Sequence, residues 1–139
     1  MIIDATELIL GRMASYVAKK ALLGEKIDIV NCEKAVITGS RADILSRYYQ
    51  KKEKGRNPYK GPFFPKASDR IVRRTIRGML PYKQEKGRKA FESVMCYVSI
   101  PSQFKDKNLE TIPKANASKL KNYKYITVGE VAKHMGARR

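Results

Sequence analysis

A strand, an amphipathic helix and a second strand follow one another within the first 31 residues of the chain. The apolar run from Met1 to Ala5 predicts a buried strand, and residues 27–31 predict a second one. Between these strands, apolar side chains recur at helical spacing and Gly24 provides a stop signal. The apolar positions are Leu10, Met13, Ala14, Val17, Ala18 and Ala21. A βαβ unit requires parallel pairing and a right-handed crossover, so the chain is predicted to belong to the α/β class.

Two further apolar stretches extend this pattern. Residues 35–38 and residues 94–100 both predict strands, which gives a small, mainly parallel sheet of about four strands. A helix is predicted from Arg41 to about Lys52. The side chains of this helix that we expect to face the core are Ala42, Leu45 and Tyr49.

The length of the chain and the position of its irregular stretches indicate its domain organisation. At 139 residues the chain has the size of one domain, so residues 1–139 are predicted to form a single α/β domain. Residues 51–66 hold three prolines and two glycines and predict a long basic loop. Residues 102–139 are polar and weakly patterned until Thr127 and Glu130 form a capping box for a short final helix. This C-terminal segment is therefore expected to be less regular.

The positive charge of the chain is distributed unevenly. The net charge is +17, yet the first forty residues hold five basic and five acidic side chains. Residues 41–90 hold sixteen basic and four acidic side chains. A charge this concentrated is self-repulsive unless a polyanion cancels it. The distribution therefore predicts a nucleic-acid partner.

The clearest cationic feature is a predicted helix with Ser68 as its expected N-cap. Four arginines of this helix are spaced i, i+3, i+4 and i+7, within an arc of about 100°. A face that is merely solvated would mix signs, because like charges at that spacing repel, and planar guanidinium groups suit phosphate oxygens. Contact with nucleic acid is thus favoured over a solvated face. The arginines are Arg70, Arg73, Arg74 and Arg77, and the residues expected in the core on the opposite side are Val72, Ile76 and Met79.

The basic loop 51–66 interleaves cations with aromatic rings. The cations, which are predicted to neutralise a phosphate backbone, are Lys51, Lys52, Lys54, Arg56, Lys60 and Lys66. The rings that could stack on unpaired bases are Tyr59, Phe63 and Phe64. For Phe63 and Phe64 the preferred alternative is that they tuck the loop onto the domain. A second basic stretch after the helix adds Lys83, Lys86, Arg88 and Lys89. Many phosphate contacts over an irregular surface suit folded RNA better than a DNA duplex.

Signatures of enzymes and of metal sites are missing from the sequence. Neither G-x-G-x-x-G after the first strand nor G-x-x-x-x-G-K-[ST] occurs. The single histidine, His134, and the two cysteines, Cys32 and Cys96, are too few for a zinc site. We interpret the cysteines as reduced, buried thiols rather than a disulfide. We expect no catalytic residue, no cofactor and no metal. The alternatives left open are a free RNA-binding regulator and an α/β enzyme acting on nucleotides through polar residues such as Asp4.

Four blocks of the sequence resemble a known family. The blocks are DATELILGRMAS (4–15), IVNCEKAVITG (29–39), RNPYKGPFFPKASDRIVRRTIRGMLPYK (56–83) and KGRKA (86–90). They are similar to the universal large-subunit ribosomal protein family thirteen, and the NPYKGPF stretch resembles the archaeal and eukaryotic branch of that family. The resemblance covers the chain to about residue 101.

This resemblance implies a fold, a function and a set of RNA-facing residues. Members of the family are non-catalytic components of the large ribosomal subunit that bind its RNA early in assembly, with a three-layer α/β/α fold. The implied partners are large-subunit ribosomal RNA and neighbouring large-subunit proteins, with no membrane and no homo-oligomer, and the implied location is the ribosome in the cytoplasm. Carried over to this sequence, the RNA-facing residues are Gly78, Met79, Leu80 and Pro81 with flanking Arg73, Arg74, Arg77, Lys83, Lys86 and Arg88, and more weakly Arg12.

Overall fold

The structure is a computed structural model of the chain, and it describes residues 1–55 and 59–137. Five short strands and five α-helices form along these ranges, which confirms the α/β class. The strands are β1 (Ile2–Asp4), β2 (Ile27–Val30), β3 (Val36–Thr38), β4 (Val94–Cys96) and β5 (Tyr125–Thr127). The helices are α1 (Leu10–Leu22), α2 (Arg41–Glu53), α3 (Ser68–Met79), α4 (Glu85–Glu92) and α5 (Val128–His134).

The predicted βαβ unit forms the centre of the molecule. Strand β2 pairs in parallel with β1 on one side and with β4 on the other, giving the order β1-β2-β4. Ile29 lies opposite Ile3 of β1 and Cys96 of β4. Ile3, Ile27 and Ile29 are fully buried, as expected for a parallel sheet covered by helices. The stripe of α1 predicted from its periodicity is buried in full.

The parallel sheet has three strands rather than about four, because β3 leaves it. Asn31 adopts a left-handed conformation with φ 54°, and the 3₁₀ turn Cys32–Lys34 then redirects the chain. As a result β3 pairs antiparallel with β5, which lies far along the chain and which the sequence did not predict. Strand β5 has only three residues, and its first side chain, Tyr125, is exposed, so it carries no clear apolar alternation.

The core-facing side of α2 differs from the prediction. Ile44 and Tyr48 are the buried residues of this helix, whereas Ala42 and Tyr49 are exposed. The buried side of α2 is thus rotated by about a quarter turn from the predicted side, and Leu45 lies half-buried at the margin of the buried side. The reason is tertiary: α2 packs against α5 and β5 rather than on the parallel sheet.

Helix α3 forms where the sequence predicted it but differs from the prediction in two details. Ala67, not Ser68, occupies the N-cap position, and Ser68 is a buried residue of the first turn. Met79 is 43% exposed, while Leu80 is buried in its place. Leu80 adopts an extended conformation after the helix ends, and this turns its side chain back toward the core.

The two cysteines are reduced thiols in the interior, as predicted. Cys32 and Cys96 are both free and buried. A hydrogen bond between the two thiols, together with burial, raises the pKa of Cys32. Among the helices of residues 1–55 and 59–137, none combines the length and apolarity needed to cross a bilayer.

Candidate nucleic-acid interface

The arginine-rich side of α3 is held outward by the packing of its opposite side. Ile71, Val72 and Ile76 are buried, and α3 contacts α1, β4 and α5. The amphipathic spacing of the sequence therefore decides which side of the helix meets water. Arg70 is exposed, and the other three arginines of the helix are half-buried.

Each half-buried arginine of α3 lies over an aromatic ring. The guanidinium carbon of Arg73 is 4.6 Å from the centroid of Phe91 in α4. The corresponding distances are 4.7 Å from Arg74 to Phe64 and 5.2 Å from Arg77 to Tyr82. Such cation–π contacts are each worth about 0.5–1 kcal/mol and fix the plane of the guanidinium group. The sequence did not reveal these pairs, because the rings belong to three other segments of the chain.

None of the α3 arginines takes part in an ion pair within the described residues. The ion pairs found there join Lys20 to Glu25, Arg41 to Glu130, Lys52 to Glu53 and Lys89 to Glu85. The Nε atom of Arg73 is enclosed without a hydrogen-bond partner. The positive charge of the stripe is therefore not neutralised by carboxylates in the part of the chain that the structure describes.

The basic residues after α3 are presented by a tight turn that packs on α4. Gln84 donates its backbone N–H to the carbonyl of Pro81 at 2.9 Å. Gly87 lies so close to this turn that a Cβ atom on it would be 2.1 Å from the Pro81 carbonyl oxygen. The glycine is thus required by a close approach of two backbone segments. The exposed cations around this contact are Lys83, Lys86, Arg88 and Lys89, the last of which pairs with Glu85 at 2.7 Å.

The end of α2 brings further cations to the same neighbourhood. The Nζ atom of Lys51 lies 4.8 Å from the ring centroid of Tyr48 and 5.5 Å from that of Phe64, the ring that Arg74 also covers. Burial first, and then the charges of Arg47, Arg74 and Lys54, lower the pKa of Lys51. Arg47 was not among the cations predicted from the sequence to contact nucleic acid. The sequence pattern that could have identified Arg47 is its position four residues before Lys51, which places both side chains on the same side of the helix.

The predicted basic loop begins later than expected, because α2 continues to Glu53. Phe64 is half-buried and packs edge-on against Tyr48, with 5.8 Å between ring centroids, so it tucks the loop onto the domain. Phe63 is 68% exposed and Tyr59 is 90% exposed. The cations Lys54, Lys60 and Lys66 are exposed, Lys52 is half-buried, and Arg56 lies outside the described residues.

Arg12 is separate from this cluster. It lies on α1 and lines a cleft between that helix and residues 110–115, together with Lys19 and Lys20. None of the α3 arginines lines this cleft. Arg12 is exposed, but the structure does not bring it together with the other predicted site residues.

The acidic residue at the end of β1 has a structural role. The Oδ1 atom of Asp4 accepts hydrogen bonds from the Thr6 amide at 3.0 Å, the Thr6 hydroxyl at 2.7 Å and the Asn31 side chain at 2.9 Å. Burial opposes the ionisation of Asp4, but these hydrogen bonds outweigh it and lower the pKa. In the described ranges, no group of three or more His, Cys, Asp or Glu side chains could hold a metal ion.

Comparisons with known proteins found similar sequences along nearly the whole chain. A family model described as Ribosomal protein L13 matches residues 1–103. A relative from Methanosarcina barkeri named "Large ribosomal subunit protein uL13" is 51% identical over 138 residues, covering 99% of this chain and 98% of the relative. A protein of the same name from Methanocaldococcus jannaschii is 50% identical over 140 residues, with the same coverage. Both alignments extend through the C-terminal segment that the family model leaves unmatched.

Proposed function

The chain belongs to the Ribosomal protein L13 family, and from this premise we propose that it is a structural component of the large ribosomal subunit that binds large-subunit ribosomal RNA. Its role is to hold and help assemble that RNA, and it is not an enzyme. We place it in the ribosome, in the cytoplasm, beside other large-subunit proteins.

We propose that three adjoining parts of the molecule contact the RNA. The first is the arginine stripe of α3, the second is the turn and α4 with their exposed cations, and the third is the end of α2 with the following loop. The residues of this proposed RNA surface are Arg70, Arg73, Arg74, Arg77, Lys83, Lys86, Arg88, Lys89, Arg47, Lys51, Lys52, Lys54, Lys60 and Lys66. Arg56, which lies outside the described residues, remains a sequence-based candidate for this surface, and Arg12 remains a sequence-based candidate for an RNA contact apart from it.

One observation carries this proposal: three arginines stack on rings and none of them meets a carboxylate among the described residues. The N–H donors of a guanidinium lie in its plane, so an aromatic ring over its face leaves donors at the edge for a phosphate, apart from the Arg74 Nη1 that bonds the Phe63 carbonyl and the enclosed Arg73 Nε. A stacked guanidinium is also restrained before it binds, which lowers the entropy lost on contact with a phosphate. Bidentate hydrogen bonds to phosphate oxygens are the contacts this arrangement favours.

The exposed rings suggest a second kind of contact. Phe63 and Tyr59 project from the loop beside Lys60, and unpaired RNA bases stack on such rings. Phe64 is proposed to support the loop instead, since Tyr48, Lys51 and Arg74 already surround its ring.

The test is binding to large subunits and to their RNA across a salt series. The protein should sediment with large subunits at low salt and be released at high salt. If about six or more phosphates are engaged, its affinity for isolated large-subunit RNA should fall roughly a thousandfold between 50 and 200 mM salt. Protein that sediments free of ribosomes at low salt would overturn the proposal. Predominant recovery with other cellular RNA would instead favour a free RNA-binding regulator.

A further inference from the structure

A cleft of about 1210 Å³ lies over one face of the β3–β5 pair, next to the start of α3. Its floor includes Val36 of β3 and its register partner Thr127 of β5. Tyr125, two residues before Thr127, lies on the same face of the pair, because side chains alternate along a strand. The walls come from the residues after β1, from residues 65–70 and from α5. Segments distant in sequence thus build one concave surface.

Two tyrosine rings of this cleft are open to a ligand. Tyr123 is 81% exposed and Tyr125 is 46% exposed. Neither ring lies against another ring or beneath a cation among the described residues, whereas the rings of the α3 stripe are already covered by arginines. Unpaired nucleobases are groups that stack on exposed aromatic side chains of this kind. The rings therefore favour a base as the occupant of the cleft.

The unpaired charges of the cleft are mostly positive. Four cations line it, and none of them forms an ion pair with a described residue. These cations are Lys34, Lys66, Arg70 and Lys133. Of the four carboxylates, Glu130 pairs with Arg41 at 2.6 Å, and Glu33 accepts the backbone N–H of Ser99 at 3.1 Å. The two carboxylates without a partner in the described ranges are Glu7 and Asp69. Four unpaired cations against two unpaired carboxylates favour an anionic ligand.

The cleft is continuous with the proposed RNA surface. Lys66 and Arg70 line the cleft and also belong to that surface, and both side chains are exposed. Arg70 is the first arginine of the α3 stripe. A strand bound along the stripe therefore passes directly into the cleft. This continuity favours RNA over a separate protein as the occupant, because one ligand then accounts for both regions.

We propose that the cleft binds an unpaired segment of large-subunit RNA that continues from the arginine stripe of α3. The bases stack on Tyr123 and Tyr125, and the phosphates contact the four cations of the cleft. Glu7 and Asp69 accept hydrogen bonds from amino or imino N–H groups on the edges of the bases. The segment is unpaired because bases inside a helix stack on one another and offer no face to a ring. The site deepens the proposed function and rests on it, since α3 must hold the same RNA.

The first test maps the occupant in large subunits assembled in cells with the full chain. A photo-crosslinking phenylalanine derivative replaces Tyr123 in one variant and Phe63, on the proposed RNA surface, in a matched variant. Irradiation of purified subunits should join position 123 to RNA, at nucleotides outside base-paired helices. Position 63 should also crosslink to RNA. Both side chains are highly exposed, so the replacements should not disturb folding.

The outcomes separate this site from the proposed function. A crosslink from position 123 to another protein, to a second copy of this chain or to base-paired nucleotides would overturn the site. The absence of a crosslink at position 123, while position 63 reaches RNA, would overturn it as well. In each of these cases the function stands. If the unmodified chain neither enters large subunits nor binds their RNA, the proposed function itself is wrong.

The second test separates stacking from charge by measuring affinity for isolated large-subunit RNA. Tyr123→Leu removes the ring and should lower affinity about fivefold or more, with no change in the slope of log affinity against log salt. Tyr123→Phe keeps the ring and should bind like the wild type. Equal affinities for the Leu and Phe variants would contradict stacking at position 123.

The cations of the cleft should act through the salt dependence instead. Changing Lys34 and Lys133 together to glutamine removes two phosphate contacts and should lower that slope by about 1–2. The matched control changes Lys26 and Lys105, which are exposed and do not line the cleft. The control should keep the wild-type slope. Equal slopes for the two double variants would exclude phosphate contacts in the cleft.

Discussion

The guanidinium of Arg74 lies 4.7 Å from the centre of the Phe64 ring, and its Nη1 atom donates a 2.9 Å hydrogen bond to the carbonyl of the preceding residue, Phe63. A residue that we assign to RNA contact therefore also fastens the loop to α3. Lys51 approaches the same ring from α2. Helix α3, the end of α2 and the loop that follows it thus meet at the Phe64 ring.

Replacing Arg74 should consequently cost stability as well as affinity. Arg74→Ala removes a cation–π contact and a hydrogen bond, so we expect the free energy of unfolding to fall by about 1–2 kcal/mol. Arg74→Lys keeps the charge but loses the planar group, and should recover only part of that loss. Urea unfolding of the two variants and the wild type measures this. An unchanged midpoint for Arg74→Ala would contradict the role assigned to the Arg74–Phe64 contact.

The exposed cations around α4 should affect RNA binding alone. Changing Lys83, Lys86 and Arg88 together to glutamine should lower the slope of log affinity against log salt by about 2–3, with little change in thermal midpoint. In the matched control, the exposed residues Lys26, Lys105 and Lys121 are changed to glutamine, so that the net charge changes by the same amount. Filter binding to large-subunit RNA at several salt concentrations gives both slopes. Equal effects from the two triple variants would mean that total charge, not this surface, drives binding.

Two glycines near the proposed RNA surface should respond to alanine in opposite directions. A Cβ atom on Gly87 would be 2.1 Å from the Pro81 carbonyl oxygen, so Gly87→Ala must displace the turn and should cost about 1–3 kcal/mol. A Cβ atom on Gly78 meets nothing within 4 Å, so Gly78→Ala within α3 should stabilise by about 0.5–1 kcal/mol. Thermal unfolding compares them. Because the turn presents Lys83 and Lys86, Gly87→Ala should also weaken RNA binding, and a stable Gly87→Ala variant would contradict the close approach.

The hydrogen bonds to Asp4 predict a specific acid response. The folded state holds the pKa of Asp4 below its usual 3.8, so its stabilising contribution is complete above that pH and is lost as pH falls further. The free energy of unfolding of the wild type should therefore drop more steeply from about pH 4 to pH 2 than that of Asp4→Asn. Denaturant titrations at several pH values give the two curves. Parallel curves would show that Asp4 is no better stabilised in the folded chain than in the unfolded one.

The central fold and the outward side of α3 were predictable because both depend on local periodicity. The apolar stripe of α1, the flanking strands β1 and β2, and the four arginines opposite Ile76 can be read from neighbouring residues in the chain. Side-chain spacing alone decides which side of such a helix or strand is buried. The charge concentrated in residues 41–90 likewise needs no coordinates to indicate a polyanionic partner.

Only the tertiary structure decided which distant residues meet. The pairing of β3 with β5 follows from a left-handed Asn31 and from the path of the chain over nearly ninety residues. The ring beneath each arginine, and the approach of Gly87 to the Pro81 carbonyl, depend on how separate elements pack. Sequence fixes periodicity within an element, but contacts between elements depend on the path of the whole chain and on close packing in three dimensions.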